Sequence, residues 1–347
     1  MTAAIDCGRD PVGAAMWLAR AFTAGRRLCV SAPGAPDHAH HVAVEFVHPV
    51  VAGTRSLAAV AAPDGDAASP ADARLVIGEA RAASALAADL FIPPDQPDRA
   101  VVLSYHLLWE LVQVALEHPG LVGSAAAAGG DSTGFLYPFL DAAEDDEASL
   151  RDALRASAEA KRDESARLAQ QSLESNRSAL EEAGTAIGRA AAAGGRVLTM
   201  GNGGSATDAA RLARVLRSQG VAAESLAVDY AVATALANDL GAERIFSRQL
   251  DAFGQPGDVL VGCSTSGASR NLLAAFDQAA TMGLATVGIS GYGGGSFTGQ
   301  ASVHHNLVVQ SMSVHRIQEA QAALMTSLCE RAAGLQGAGE QTVERAR

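Results

Sequence analysis

Aromatic residues make up only 4% of this 347-residue sequence, so its cores must be packed from Ala, Val, Leu and Ile, a composition that suits helices lying close on a parallel sheet. Clustered lysine and arginine are also missing. A net charge of −12 and a pI near 5.2 argue against a nucleic-acid backbone as partner, because proteins that grip one carry basic patches. The four cysteines, Cys7, Cys29, Cys263 and Cys329, show no C-x-x-C spacing. That fits a reducing cytoplasm better than a disulfide framework or a thiolate metal site. No stretch reads as a signal peptide, and no uncharged apolar run reaches membrane-spanning length. The expectation is a soluble, cytoplasmic protein without a membrane partner, in which any small anion is held by local groups rather than by a global positive field.

The length allows two ordinary domains. Residues 12–26 read as a helix, 27–31 as a buried strand, 37–46 as a helix, and 99–117 as a strongly apolar helix, with short strand candidates at 57–61, 75–78 and 90–92. From 119 to 137 the chain is Gly/Ala-rich without periodicity, and 141–192 carries dense charge at helical spacing, the pattern of a solvated hairpin or packing arm. The alternation then restarts: strand 196–200, helix 206–218, strand 225–228, helix 231–240, strand 257–262, a helix to Met282, strands 284–290 and 306–309, and a last helix 314–333. The predicted domains are 8–120, a linker and helical arm over 121–195, and 196–335. Strands alternating with helices predict parallel sheets, whose ligands sit beyond the carboxyl ends of the strands. Ala24-Gly25-Arg26-Arg27-Leu28-Cys29-Val30 is similar to Ala193-Gly194-Gly195-Arg196-Val197-Leu198-Thr199, as two diverged copies of one fold would be.

Two loops carry phosphate chemistry. Gly201-Asn202-Gly203-Gly204-Ser205 follows an apolar strand and opens a helix, so its backbone N–H groups form a cradle at the positive helix end. It lacks the last glycine of a dinucleotide fingerprint and the Gly-Lys-Ser/Thr of a P-loop, so no nucleotide cofactor is expected. Ser264-Thr265-Ser266-Gly267-Ala268-Ser269 places four hydroxyls at a second helix start. In the first half, His41 and Glu45 stand four apart on one helix face, and His106 lies in the apolar helix. These residue types hold a divalent metal, or act as base and acid in moving a proton between adjacent carbons; a surface pair and a satisfied core histidine would have the same spacing.

The ordered motifs from Gly201 to Ser205 with Asp208, Asn238-Asp239, Phe246-Ser247-Arg248-Gln249, Pro256-Gly257-Asp258, Ser264 to Gly267 and Arg316-Ile317-Gln318-Glu319-Ala320 resemble the phosphoheptose (sedoheptulose 7-phosphate) isomerases of the sugar isomerase (SIS) domain family, over about 150–335. The resemblance implies flavodoxin-like α/β/α sandwiches, subunit assembly, ketose to aldose isomerisation of a sugar phosphate, and often a bound zinc ion. It assigns Asn202, Gly203, Ser205, Ser264, Thr265, Ser266 and Ser269 to the phosphate, with Asp239 and Gln318 as further substrate contacts. Where the family carries a His, a Glu and a later His, this chain has Arg211, Val215 and Thr326. The missing set is matched instead by His41-Val42-Ala43-Val44-Glu45 and by His106 of the first half. Hence the expectation of two diverged SIS-type sandwiches joined by a helical arm and sharing a composite site. Phosphate would be held by the second domain, with Glu45 and His106 as catalytic groups and zinc on His41, Glu45, His106 and Gln318. The expected assembly is a dimer of two-domain chains forming a pseudo-tetramer. The alternative is a non-catalytic SIS protein that binds a sugar phosphate or a protein partner.

Overall fold

The computed structural model describes residues 4–49, 54–64, 69–93, 98–118 and 146–345. The chain divides into two compact units, Met1–Ala166 and Arg167–Arg347. The Gly/Ala-rich stretch 119–137 lies outside the described residues.

In the first unit the order is β1 (Ile5–Asp6), α1 (Pro11–Thr23), β2 (Leu28–Ser31), α2 (Pro36–Val47), β3 (Ala59–Ala61), β4 (Ala73–Ile77), α3 (Ala80–Ala85), β5 (Leu90–Ile92) and α4 (Asp98–Glu117). Helix α1 starts where its sequence dictates: the Asp10 carboxylate accepts from the Gly13 N–H at 2.8 Å and Pro11 opens the first turn. Gly25, at φ 76°, then turns the chain into β2, whose four residues are all buried. Arg27 at the head of β2 pairs with Asp72 at 2.8 Å, and the hydrogen bonds from this guanidinium hold the Asp72 carboxyl below its ordinary range. Residues 24–26 lie outside α1, which ends at Thr23. Sequence pattern missed β1 and α3, because two and six residues are too few to display a period.

Helix α4 is long and apolar enough to cross a membrane, but 78% of its apolar window is buried inside the protein, as in a core helix. It meets the charged helix α5 (Glu147–Ser175) through Lys161, the chain's one lysine, which pairs with the buried Glu110 at 2.7 Å. The division between the units falls within α5.

In the second unit α6 (Arg177–Ala192) leads into β6 (Val197–Gly201), α7 (Gly204–Ser218), β7 (Ala223–Ser225), α8 (Tyr230–Leu240), α9 (Ile245–Phe253), β8 (Val259–Ser264), α10 (Arg270–Thr281), β9 (Ala285–Ser290), β10 (His305–Val308) and α11 (Val314–Arg345). Strand β7 begins two residues earlier than its pattern suggests. Gly220, at φ 85°, ends α7 and the Val221 N–H returns to the Leu216 carbonyl at 3.0 Å, so extended chain starts at once. The sheet is buried on both faces. Val197, Val259, Val261 and Val287 pack with α6, α7 and α11, while Leu198, Met200 and Leu260 pack with α9 and α10.

Both sheets are parallel and five-stranded, ordered β1-β5-β4-β2-β3 and β10-β9-β8-β6-β7. Counted from β6, the second is the flavodoxin order 2-1-3-4-5. The first has the same order, but its far edge is filled by β1, which precedes the other strands in the chain, where the second unit uses its last strand, β10.

On the open side of β10, one side chain pairs with the backbone of its last residue. Asn176 donates to the Val308 carbonyl at 2.9 Å and accepts from the Val308 N–H at 2.7 Å, as a neighbouring strand would. Replacing Asn176 with Ala leaves both groups without that partner. A loss of about 1–3 kcal/mol is expected, measured as a lower midpoint for the second unit's transition in urea.

Candidate functional site

Strands β6 and β8 are neighbours, so their following loops emerge side by side at the carboxyl edge of the sheet. After β6, Gly203 adopts φ 54° and ψ −126° as the residue before α7, a backbone setting that favours glycine. Ser205, in the first turn, is 7% exposed. After β8, the Ser264 hydroxyl lies 3.3 Å from both the Ser266 and Ser269 hydroxyls, and the Gly267 N–H donates to it at 3.1 Å. Thr265 lies between them in the same turn. The two loops are tied by a reciprocal amide pair: Asn202 donates to Asn271 at 3.0 Å, and Asn271 donates back at 2.8 Å. Asn271 was not singled out by sequence, since nothing local marks it as the partner of a residue in a different loop.

Gln321, also not singled out, donates towards the carbonyls of Ser264 at 3.3 Å and Ile289 at 3.4 Å, bracing the ends of β8 and β9 from α11. Its only sequence signal is its position one helical turn after Gln318. Gln318 donates to the Asp208 carboxylate at 3.5 Å. Asp239, in the last turn of α8, is exposed and accepts from the Asn238 amide at 2.7 Å.

Beneath the glycine loop lies a buried charge cluster. Arg211 pairs with Asp208 at 2.9 Å, with side-chain exposures of 4% and 0%, and the Arg211 guanidinium approaches the Met325 sulfur at 3.6 Å. Arg316 pairs with Glu319 at 2.9 Å in equally buried surroundings. Burial, reinforced by the Asp208 carboxylate, pushes the Cys263 thiol up, so this cysteine supplies no thiolate.

In the first unit, α2 and α4 bring His41, Glu45 and His106 together. Their ligand-type atoms all lie within 4.8 Å of one another. The His41 and His106 Nε2 atoms are 3.3 Å apart, and His41 Nε2 is 3.7 Å from Glu45 Oε1. All three are buried. The ring of Tyr105 stands 5.0 Å from each histidine ring, and His38, on the same helix as His41, lies 3.7 Å from Asp98. The i, i+4 spacing of His41 and Glu45 is therefore a buried contact. Donors bonded to zinc at 2.0–2.1 Å in a tetrahedron stand about 3.3–3.4 Å apart, so the two imidazoles have the separation such an ion requires.

The SIS domain family matches residues 162–291. A phosphoheptose isomerase from Paramagnetospirillum magneticum is 44% identical over 145 residues, covering 40% of this chain and 74% of that protein. One from Roseiflexus is 41% identical over 143 residues, covering 40% and 72%. The chain belongs to the SIS-domain family. The structure of a phosphoheptose isomerase from Neisseria gonorrhoeae aligns with a TM-score of 0.50 at 31% identity, covering 52% of this chain and 99% of that one. The C-terminal domain of glucosamine-fructose-6-phosphate aminotransferase from Francisella tularensis aligns over 95% of both chains, with a TM-score of 0.54 and 9% identity, which speaks to the fold alone. Both units are thus parallel α/β sandwiches, and the SIS family match itself lies almost wholly in the second.

Within this SIS protein the two sets of sequence-marked residues sit in different units: the phosphate-type loops and Gln318 in the second, the His–Glu–His cluster in the first. Arg211 is an integral part of its helix core. Replacing it with Met removes the charge partner of a buried carboxylate and is expected to destabilise the chain by about 3–5 kcal/mol. Combining it with Asp208→Leu is expected to recover part of that loss, a non-additivity read from denaturant midpoints of the two single variants and the double.

Proposed function

We propose that the chain is a phosphosugar aldose–ketose isomerase that interconverts sedoheptulose 7-phosphate and a heptose 7-phosphate through an enediol. The observation carrying this reading is the Asn202–Asn271 pair, which joins the glycine and serine loops into one cradle of amides and hydroxyls. Such donors hold a phosphate ester without a fixed positive charge, in keeping with the acidic composition. Asp239 and Gln318 contact the sugar hydroxyls.

Proton transfer belongs to the first unit, for a physical reason. A guanidinium at position 211 stays protonated at any working pH and neither takes nor gives a proton, whereas Glu45 and His106 do both. Glu45 moves the proton between the two carbons, and His106 serves the oxygens. The closeness of His41, Glu45 and His106, with the two imidazole nitrogens 3.3 Å apart, supports zinc as the cofactor. When bound, zinc would polarise the substrate carbonyl. Holding it would engage Glu45, so metal binding and free-base action compete at this carboxylate. In the proposed set Gln318 would bind through its amide oxygen, its amide nitrogen being the atom that donates to Asp208.

A specific observation favours a second reading. Glu45 and His106 are 3% and 0% exposed, and Arg211 has no acid–base capacity. Both are consistent with a SIS protein that binds a sugar phosphate without converting it.

An assay of the purified chain with sedoheptulose 7-phosphate, following aldose formation with and without zinc, separates the two. Turnover is expected, and Glu45→Gln is expected to lower it at least about a hundredfold while leaving calorimetric binding of the sugar phosphate intact. Binding without turnover in the unaltered chain establishes the second reading. His41→Ala and His106→Ala are each expected to lose zinc, measured as metal content after dialysis.

The same reading makes the protein a dimer of two-unit chains. Helix α8 has no buried residue, and Tyr230 and Leu240 are 83% and 43% exposed, with Val228 just before the helix at 64%. An apolar surface of that kind marks an interface. Sedimentation of the chain is expected to give a dimer, and Tyr230→Glu a monomer.

A further inference from the structure

Among the described residues, two non-glycines adopt positive φ, Ala87 and Tyr292, both at 49°. Ala87 has an ordinary reason. It follows α3, where its N–H bonds back to Ser84 and that of Ala88 to Ala83, a helix-ending turn that asks for a left-handed residue. Tyr292 ends no helix. It follows β9, in the run Gly291-Tyr292-Gly293-Gly294-Gly295, where the last three glycines have φ of 83°, 100° and 53°.

Two of those glycines are imposed by close packing. The Gly291 N–H donates to the Thr265 carbonyl at 3.0 Å, and the Phe297 N–H to the Gly267 carbonyl at 2.9 Å, so the segment is strapped along residues 265–267. A Cβ on Gly295 would overlap the Ser266 carbonyl, and one on Gly294 the Thr298 hydroxyl. At position 292 the backbone makes the same left-handed demand, and glycine would meet it without strain. A tyrosine stands there instead, 36% exposed, although a bulky side chain at positive φ is disfavoured. Strain of this kind persists where the side chain has work to do.

We propose that Tyr292 is a specificity-determining residue of the phosphosugar site, its phenol ring covering the polyol chain of a phosphate ester held by residues 264–269. This rests on the phosphosugar reading above. The chemistry matches: a tyrosine offers an apolar ring to carbon-bound hydrogens and a hydroxyl to the sugar's own hydroxyls. The position matches too, one residue from the glycine bonded to Thr265. The glycines of the strap leave no other side chain over residues 291–295 to make such a contact.

The test compares the unaltered chain with Tyr292→Gly and Tyr292→Phe by calorimetry, using inorganic phosphate and sedoheptulose 7-phosphate, together with thermal unfolding. For Tyr292→Gly the expected result is an unchanged or raised unfolding midpoint, because relieved strain offsets the entropy glycine adds to the unfolded chain. Its phosphate affinity is unchanged and its affinity for the sugar phosphate falls about tenfold. Tyr292→Phe is expected to fall in between. Equal sugar-phosphate affinity in all three proteins overturns the proposal. So does a lowered midpoint with parallel loss of both ligands, which would make the tyrosine a prop for the loop. An unaltered chain that binds neither ligand overturns the phosphosugar reading itself, and the role of Tyr292 with it.

Discussion

Parallel pairing of β6 with β8, in register from Val197 opposite Val259 to Gly201 opposite Cys263, ends the two strands at the same level of the sheet. The chain leaves both strands there and enters a helix each time, so two sets of helix-terminal N–H groups face the same region. The Asn202–Asn271 amide pair then fixes one loop against the other. Gln321 braces the serine loop from below and the glycine strap after β9 holds its outer edge. Each of these contacts presupposes the strand order, because only neighbouring strands deliver their loops within hydrogen-bond reach.

Buried charge is the second organising element. Asp208–Arg211 and Arg316–Glu319 in one unit are pairs of buried ions, and in the other the buried Glu110 carboxylate is paired with the partly buried Lys161. Such pairs add little net stability over apolar packing, yet removing one partner is severe. The Arg211 pair thereby commits the helix after the glycine loop to a fixed positive charge. In the first unit, α2 and α4 face His41 and His106 towards each other.

The two sheets reach one strand order by different chain paths. In the second unit the far edge is the last strand, and in the first it is a two-residue strand at the start. A parallel edge strand needs a neighbour with compatible direction and register; its place along the chain is free. At its own open edge the second unit has Asn176, whose amide imitates the missing strand at Val308.

Much of the fold was legible in the sequence because its signals are local. Apolar runs bounded by Gly25 and Gly194 marked β2 and β6, and the glycine and serine loops announced themselves by composition and by what precedes and follows them. The spacing of His41 and Glu45 placed them on one face. What was not legible depends on distant pairing: the partner of Asn202, the bracing by Gln321, the burial of Arg211, the strain at Tyr292 and the edge role of Ile5–Asp6. The sequence by itself determined the parallel α/β class and the residue types able to hold a phosphate or move a proton, because these follow from periodicity and side-chain chemistry. Only the tertiary structure decided which of those residues meet, because hydrogen bonds and ion pairs form between groups that the sheet order brings within about 3 Å, whatever their separation along the chain.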